Sequence, residues 1–166
     1  QTTIGVGNQS NSISLTGKSF IEATTALDYR LVKGNNKIIF FSEITPQLTN
    51  MDYYPKAKLD QLELSLIQGE TDKIDDVITE IIELIKNNNT PLFWARCLSY
   101  EIINTVMKVM YETNYQWDTD QNEKFNILSL TQFDTVEELA IIIEDISKEI
   151  CNYINQDKEG YNQDLM

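Results

Sequence analysis

Two short stretches hold residues at spacings that do chemistry in other proteins. "IGVGNQS" sets Gly5 and Gly7 behind apolar Ile4 and Val6, ahead of a helical pattern. In that arrangement a glycine turn lets backbone amides approach a dinucleotide pyrophosphate. Ser10 stands where the third glycine is needed, and no acidic residue closes a second strand at the required distance. The stretch therefore reads as a turn after a strand. "DTDQNEKFNILS" puts Asp118, Asp120 and Asn122 at the first, third and fifth positions of a calcium loop. Glu123 replaces the glycine that the sharp bend requires, and Ser129 replaces the closing bidentate glutamate. It reads as an acidic surface loop.

Other chemistry is narrowed by residue type. The chain has no histidine, which removes serine–histidine and cysteine–histidine catalytic pairs together with the commonest zinc ligand. Cys97 and Cys151 sit on apolar helical patterns and read as small buried hydrophobes of a reducing compartment. Asp75–Asp76 and Glu144–Asp145 fall on exposed helical faces, with nothing to set two carboxylates across a cleft. No catalytic residue, metal ligand or cofactor is assigned. The one candidate ligand pocket is at Phe93 and Trp94, aromatic residues at the start of a long apolar helix.

The elements that would position these residues divide the chain in two. Residues 1–45 read strand, helix, strand. Ile4 and Val6 alternate with small residues, and Ile13, Phe20, Ala23, Ala26, Leu27 and Leu31 fall near helical spacing. Gly34 is placed to end that helix in the left-handed conformation. "KIIFF", Lys37 to Phe41, is β-branched and aromatic with apolar side chains on both faces, as in an interior strand.

Residues 46–166 open on a linker, Pro46 and "QLTNMD", and then read as about four helices. Leu59, Leu62, Leu66 and Ile67 form a stripe closed by Gly69. Thr71 caps a helix whose Ile74, Val77, Ile78, Ile81, Leu84 and Ile85 follow the three-four alternation. After "NNNTP", with Thr90 as cap and Pro91 at the first helical position, a helix apolar on most sides runs to about Thr113 and is expected at the centre. Thr135 and Glu138 have capping-box spacing. Beyond them Leu139, Ile142, Ile146, Ile150 and Tyr153 line one face. The fold class is α+β, mostly α.

The 166 residues, 42% hydrophobic, are enough for a buried core. Twenty-six acidic against 13 basic side chains give a formal charge of −13, which repels phosphate backbones and argues against direct DNA contact. No run approaches 18 apolar residues, and Arg96 interrupts the best one, so no membrane span is expected. Gln1 followed by polar residues suggests neither a leader nor a natural start, and leads to the expectation of a piece of a longer protein.

"ATTALDYRLVKGNN", Ala23 to Asn36, resembles the closing helix and turn of the GGDEF fold, the diguanylate cyclase domain, whose pattern is Ala-Asp-x-Ala-Leu-Tyr-x-Ala-Lys-x-x-Gly-Arg-Asn. Ala23, Ala26, Leu27, Gly34 and Asn36 match, and "TTIGVG" is similar to the strand before it. Leu31 replaces the lysine that helps hold nucleotide phosphate, and Thr24 replaces the aspartate. An uncharged leucine cannot hold a triphosphate, so the resemblance implies a degenerate, non-catalytic domain.

The longer segments "SFIEATTALDYRLVKGNNKIIFFSEI", "YYPKAKLDQLELSLIQGETDKIDDVITEI" and "ARCLSYEIINTVMKVMYE" resemble the intracellular region of large AraC-type transcriptional regulators. That resemblance implies a cytoplasmic segment of a membrane-anchored parent. It further implies a signal-relay role and DNA bound only through helix-turn-helix motifs outside this chain. The two uncovered β elements, with an unpaired sheet edge, and the amphipathic helices predict a homodimer. A helical small-molecule sensor, with its pocket near Trp94, is the alternative. A diguanylate-cyclase-like fragment is a more distant one.

Overall fold

A computed structural model of the protein describes residues 2–44, 54–86, 90–115 and 130–163, with side chains to residue 156. The linker from Pro46, the "NNN" turn and the calcium-like run from Asp118 to Ser129 lie outside the described residues. The architecture is α+β and mostly α.

The α/β part begins with β1, Ile4–Val6. A short 3₁₀ turn, Ile13–Leu15, leads into α1, Thr16–Asp28, and α2, Arg30–Lys33, follows after a break at Tyr29. β2, Ile38–Phe40, pairs parallel with β1, Ile4 opposite Ile38 and Val6 opposite Phe40. Asn36 holds the register. Its φ of 62° is in the left-handed region that asparagine tolerates. There its side chain accepts from Thr2 N–H at 3.2 Å, and its own N–H donates to Thr3 Oγ1 at 3.1 Å. Gly34 also needs a positive φ, 84°, but its ψ of 174° takes it out of the expected left-handed helical cap into an extended turn that only glycine adopts freely.

Both glycines of "IGVG" serve packing. A Cβ on Gly5 would lie 2.1 Å from the Ala23 carbonyl oxygen, and one on Gly7 2.1 Å from that of Ser19, so α1 rests directly on this strand's backbone. One residue of the turn is tied down on both sides: Asn8 N–H donates to the buried Glu22 carboxylate at 2.9 Å, and Ser19 Oγ donates to Asn8 O at 2.7 Å.

Since Gly5 and Ile39 face α1, their neighbours Ile4, Val6, Ile38 and Phe40 occupy the opposite face. Ile4 is 48%, Ile38 58% and Phe40 41% exposed, while Ile39 is buried. The interior strand read from "KIIFF" is thus covered on one face only.

The helical part is α3 (Lys56–Gln68), α4 (Thr71–Lys86), α5 (Leu92–Glu112) and α6 (Val136–Gln163). Gly69, at φ 73° and ψ 29°, ends α3: its N–H donates to Leu66 O and that of Glu70 to Ser65 O, a Schellman stop. α4 starts at Thr71 itself, with Ile74 N–H donating to Glu70 O. Pro91 stands just before α5, and the Thr90 hydroxyl turns back to donate to Leu84 O at 3.0 Å.

Every helix of this array packs against the other three. α5 is therefore one wall of the bundle and not its centre. Leu98, Ile102, Val106 and Val109 point inward, while Phe93, Tyr100 and Tyr111 face solvent. On α6 the buried line is Leu139, Ile143, Ile146 and Ile150, with Ile142 at its margin. Ion pairs cross between helices on the outside: Lys58–Glu80, Lys108–Glu63 at 2.7 Å and Lys86–Glu137 at 2.8 Å.

Candidate functional site

The site where the two parts meet is built by the break at Tyr29. Its N–H bonds back to Ala26 O, and its own carbonyl starts a new turn by accepting from Val32 and Lys33. The new direction drives Leu31 into the helical core, where it is 7% exposed, with Val32 packed behind it. Burying a leucine side chain contributes roughly 1.5–3 kcal/mol. Leu31 is thus a plug between α/β part and bundle, at the position where the resemblance would put a phosphate-binding lysine.

Polar contacts ring this plug. Arg30 pairs with Asp134, just before α6, and Arg96 of α5 reaches Asp28 at 3.5 Å. Asn35 Nδ2 donates to Glu138 Oε1 at 2.8 Å. The other oxygen, Glu138 Oε2, accepts from Asp134 N–H at 2.8 Å, and Glu138 N–H donates to Thr135 Oγ1 at 3.1 Å. The capping box read from Thr135 and Glu138 therefore forms with its return bond on Asp134. It also carries a bond from the α/β part.

Between these contacts lies an open cleft of about 260 Å³. Its charged lining is Asp28, Arg30, Arg96 and Asp134, and Leu27, Leu31, Tyr100 and Phe133 add apolar and aromatic wall. Two guanidiniums and two carboxylates balance. Each arginine already faces an aspartate, which leaves a weak hold for a phosphate. Among the described residues no three side chains group as metal ligands, and the two carboxylates of this cleft, Asp28 and Asp134, are each engaged by an arginine. The arrangement joins two structural parts through ion pairs.

Phe93 and Trp94, the aromatic pair singled out in the sequence, stand at the start of α5 and outside this lining. Their rings meet edge-on at 5.4 Å, with Phe93 67% exposed and Trp94 half-buried. The residues missed by sequence reasoning are Arg30, Arg96 and Asp134. Arg30 and Asp134 are 104 positions apart, and no local pattern joins them. Cys151 is buried and Cys97 half-buried. No helix among the described residues is long and apolar enough to cross a membrane.

No protein-family model and no solved structure matches the chain. A curated relative, an uncharacterized HTH-type transcriptional regulator named YtdP from Bacillus subtilis, is 22% identical over 138 residues. The match takes in 81% of this chain and 18% of that protein, so the chain spans less than a fifth of its relative's length. Residues 46–166 number 121 of 166, about 73%. A match of 81% therefore reaches into both the α/β part and the helices. The similarity is to a regulator of transcription.

Proposed function

We propose that this chain is a non-catalytic connecting segment of an AraC-type transcriptional regulator. Residues 1–45 would be the C-terminal part of a degenerate GGDEF-like domain, and residues 46–166 a helical regulatory unit ahead of a DNA-binding domain. In this reading the segment relays a signal through the junction and pairs with a second copy, while helix-turn-helix motifs elsewhere in the parent hold the promoter. The observation that carries the reading is the similarity to an HTH-type regulator over both parts of the chain. Two features agree with loss of nucleotide handling: Leu31 is spent on the core, and the glycine turn's Asn8 amide is taken by Glu22.

The test is promoter retardation in gels with the purified chain and with the complete parent protein. The chain alone is expected to leave DNA unshifted and the parent to shift it. GTP turnover or tight cyclic-dinucleotide binding by the chain would overturn the reading, as would a parent lacking any promoter-binding end.

A second reading, a small-molecule sensor, is favoured by the junction cleft, whose opposite charges and aromatic wall suit a small zwitterion. A rise in melting temperature with such a compound, lost in Arg96→Ala, would establish it.

A further inference from the structure

We infer that the Arg30–Asn36 turn and the first turn of α6 form one latch, so that undocking the α/β part unravels the start of α6. The carboxylate of Glu138 is shared. One oxygen caps Asp134 N–H from within α6, and the other takes the Asn35 amide from the α/β part. Arg30 pairs with Asp134, the residue whose backbone is being capped. Leu31, two residues before Lys33 ends α2, fills the core beneath.

A helix start leaves four backbone N–H groups without intrahelical partners, and the side chains that serve them decide whether the first turn holds. Here Thr135 Oγ1 serves Glu138 N–H. The Glu138 side chain folds back onto Asp134 N–H just ahead of that cap, where contacts from outside the helix hold both acidic side chains. When the turn leaves, Glu138 loses the donor that fixes one of its oxygens, and Asp134 loses the cation that holds it in place. The fraying free energy of α6's first turn and the undocking free energy of the α/β part are therefore one coupled quantity. Such coupling is reciprocal. The inference stands on these contacts alone, and it also names the moving part that the proposed relay would use.

Hydrogen exchange on the full chain reads it directly, without DNA or signal, so its failure is separable from failure of the regulator reading. In Asn35→Ala and in Arg30→Gln, the amides of Glu138 to Ala140 are expected to exchange about fivefold to tenfold faster, the scale of a lost cap. The Ile4 amide, bonded to Lys37 O at 2.9 Å, should accelerate with them. Amides around Ile146 and Ile150 should not change. Asn155→Ala, which removes the bond to Gly69 O further along α6, should leave both sets at wild-type rates. Raising salt on the unmutated chain screens the Arg30–Asp134 pair and should move both sets together by a smaller factor, a readout that needs no variant to fold. Acceleration of Ile4 with Glu138 to Ala140 unchanged, in either variant or in salt, would overturn the latch.

Discussion

A lysine at position 31 would replace a leucine packed in the bundle core at the floor of the cleft, losing its apolar contacts and bringing an ammonium close to core side chains. Isolated charges in such places are strongly disfavoured, so Leu31→Lys is expected to destabilise the protein by about 3 kcal/mol. Leu31→Met, which conserves volume, should cost less than about 1.5 kcal/mol. Urea titrations of the two variants check this, and equal midpoints would contradict the plug. A second residue-scale consequence concerns Glu144 on α6. Burial, then the nearby Asp75, raises its pKa above its ordinary 4.5, against a smaller opposing pull from Lys148. A carboxyl whose folded value is raised costs stability when ionised. That cost is absent well below the ordinary value and appears as pH rises through the folded one. Glu144→Gln should therefore raise the melting temperature at neutral pH, with the gain fading at about pH 3.5.

At the scale of elements, α1 lies on β1 only because Gly5 has no side chain. In Gly5→Ala the new methyl would sit 2.1 Å from the Ala23 carbonyl oxygen and 2.8 Å from Leu27 N. The expected result is a loss of about 2 kcal/mol centred on the α/β part, seen as faster exchange at Ile4 with α3 to α5 little changed. The elements themselves were largely legible. α4 announces itself by unbroken three-four spacing, α3 by the glycine its stop requires, and α6 by the capping pair at its start.

Misreadings came where several partners share one element. "KIIFF" has the same apolar pattern whether one face or two are covered, and here one is. The apolar residues that dominate α5 point to a central helix, yet Phe93, Tyr100 and Tyr111 ride on its outer side. On α6, Ile142 and Ile143 are adjacent isoleucines, and packing against neighbouring helices decides which of them is buried. The junction cleft left no local trace, since Asp28, Arg96 and Asp134 come from three separate segments.

The whole molecule carries opposed surface tendencies. Its parallel sheet has a helix on one face and open apolar side chains, Ile4, Ile38 and Phe40, on the other, whereas parallel sheets are ordinarily covered on both. The proposed second copy would cover that face against the mutual repulsion of two chains at −13 each. Salt screens this repulsion and strengthens apolar contact, so self-association should tighten with ionic strength while the junction latch loosens. Sedimentation velocity at low and high salt tests the pair formation. Phe40→Glu is expected to abolish it, and a dimer indifferent to that change would place the contact elsewhere.

Cys97 is half-buried on α5 and Cys151 wholly buried on α6, and this gives the protein a built-in stopwatch. An alkylating reagent should consume one thiol promptly and then wait on the second until the bundle opens. Two well-separated phases in a time course of mass spectra would measure that opening in unmodified protein. Simultaneous loss of both thiols would mean that α6 does not shield Cys151 as the packing indicates.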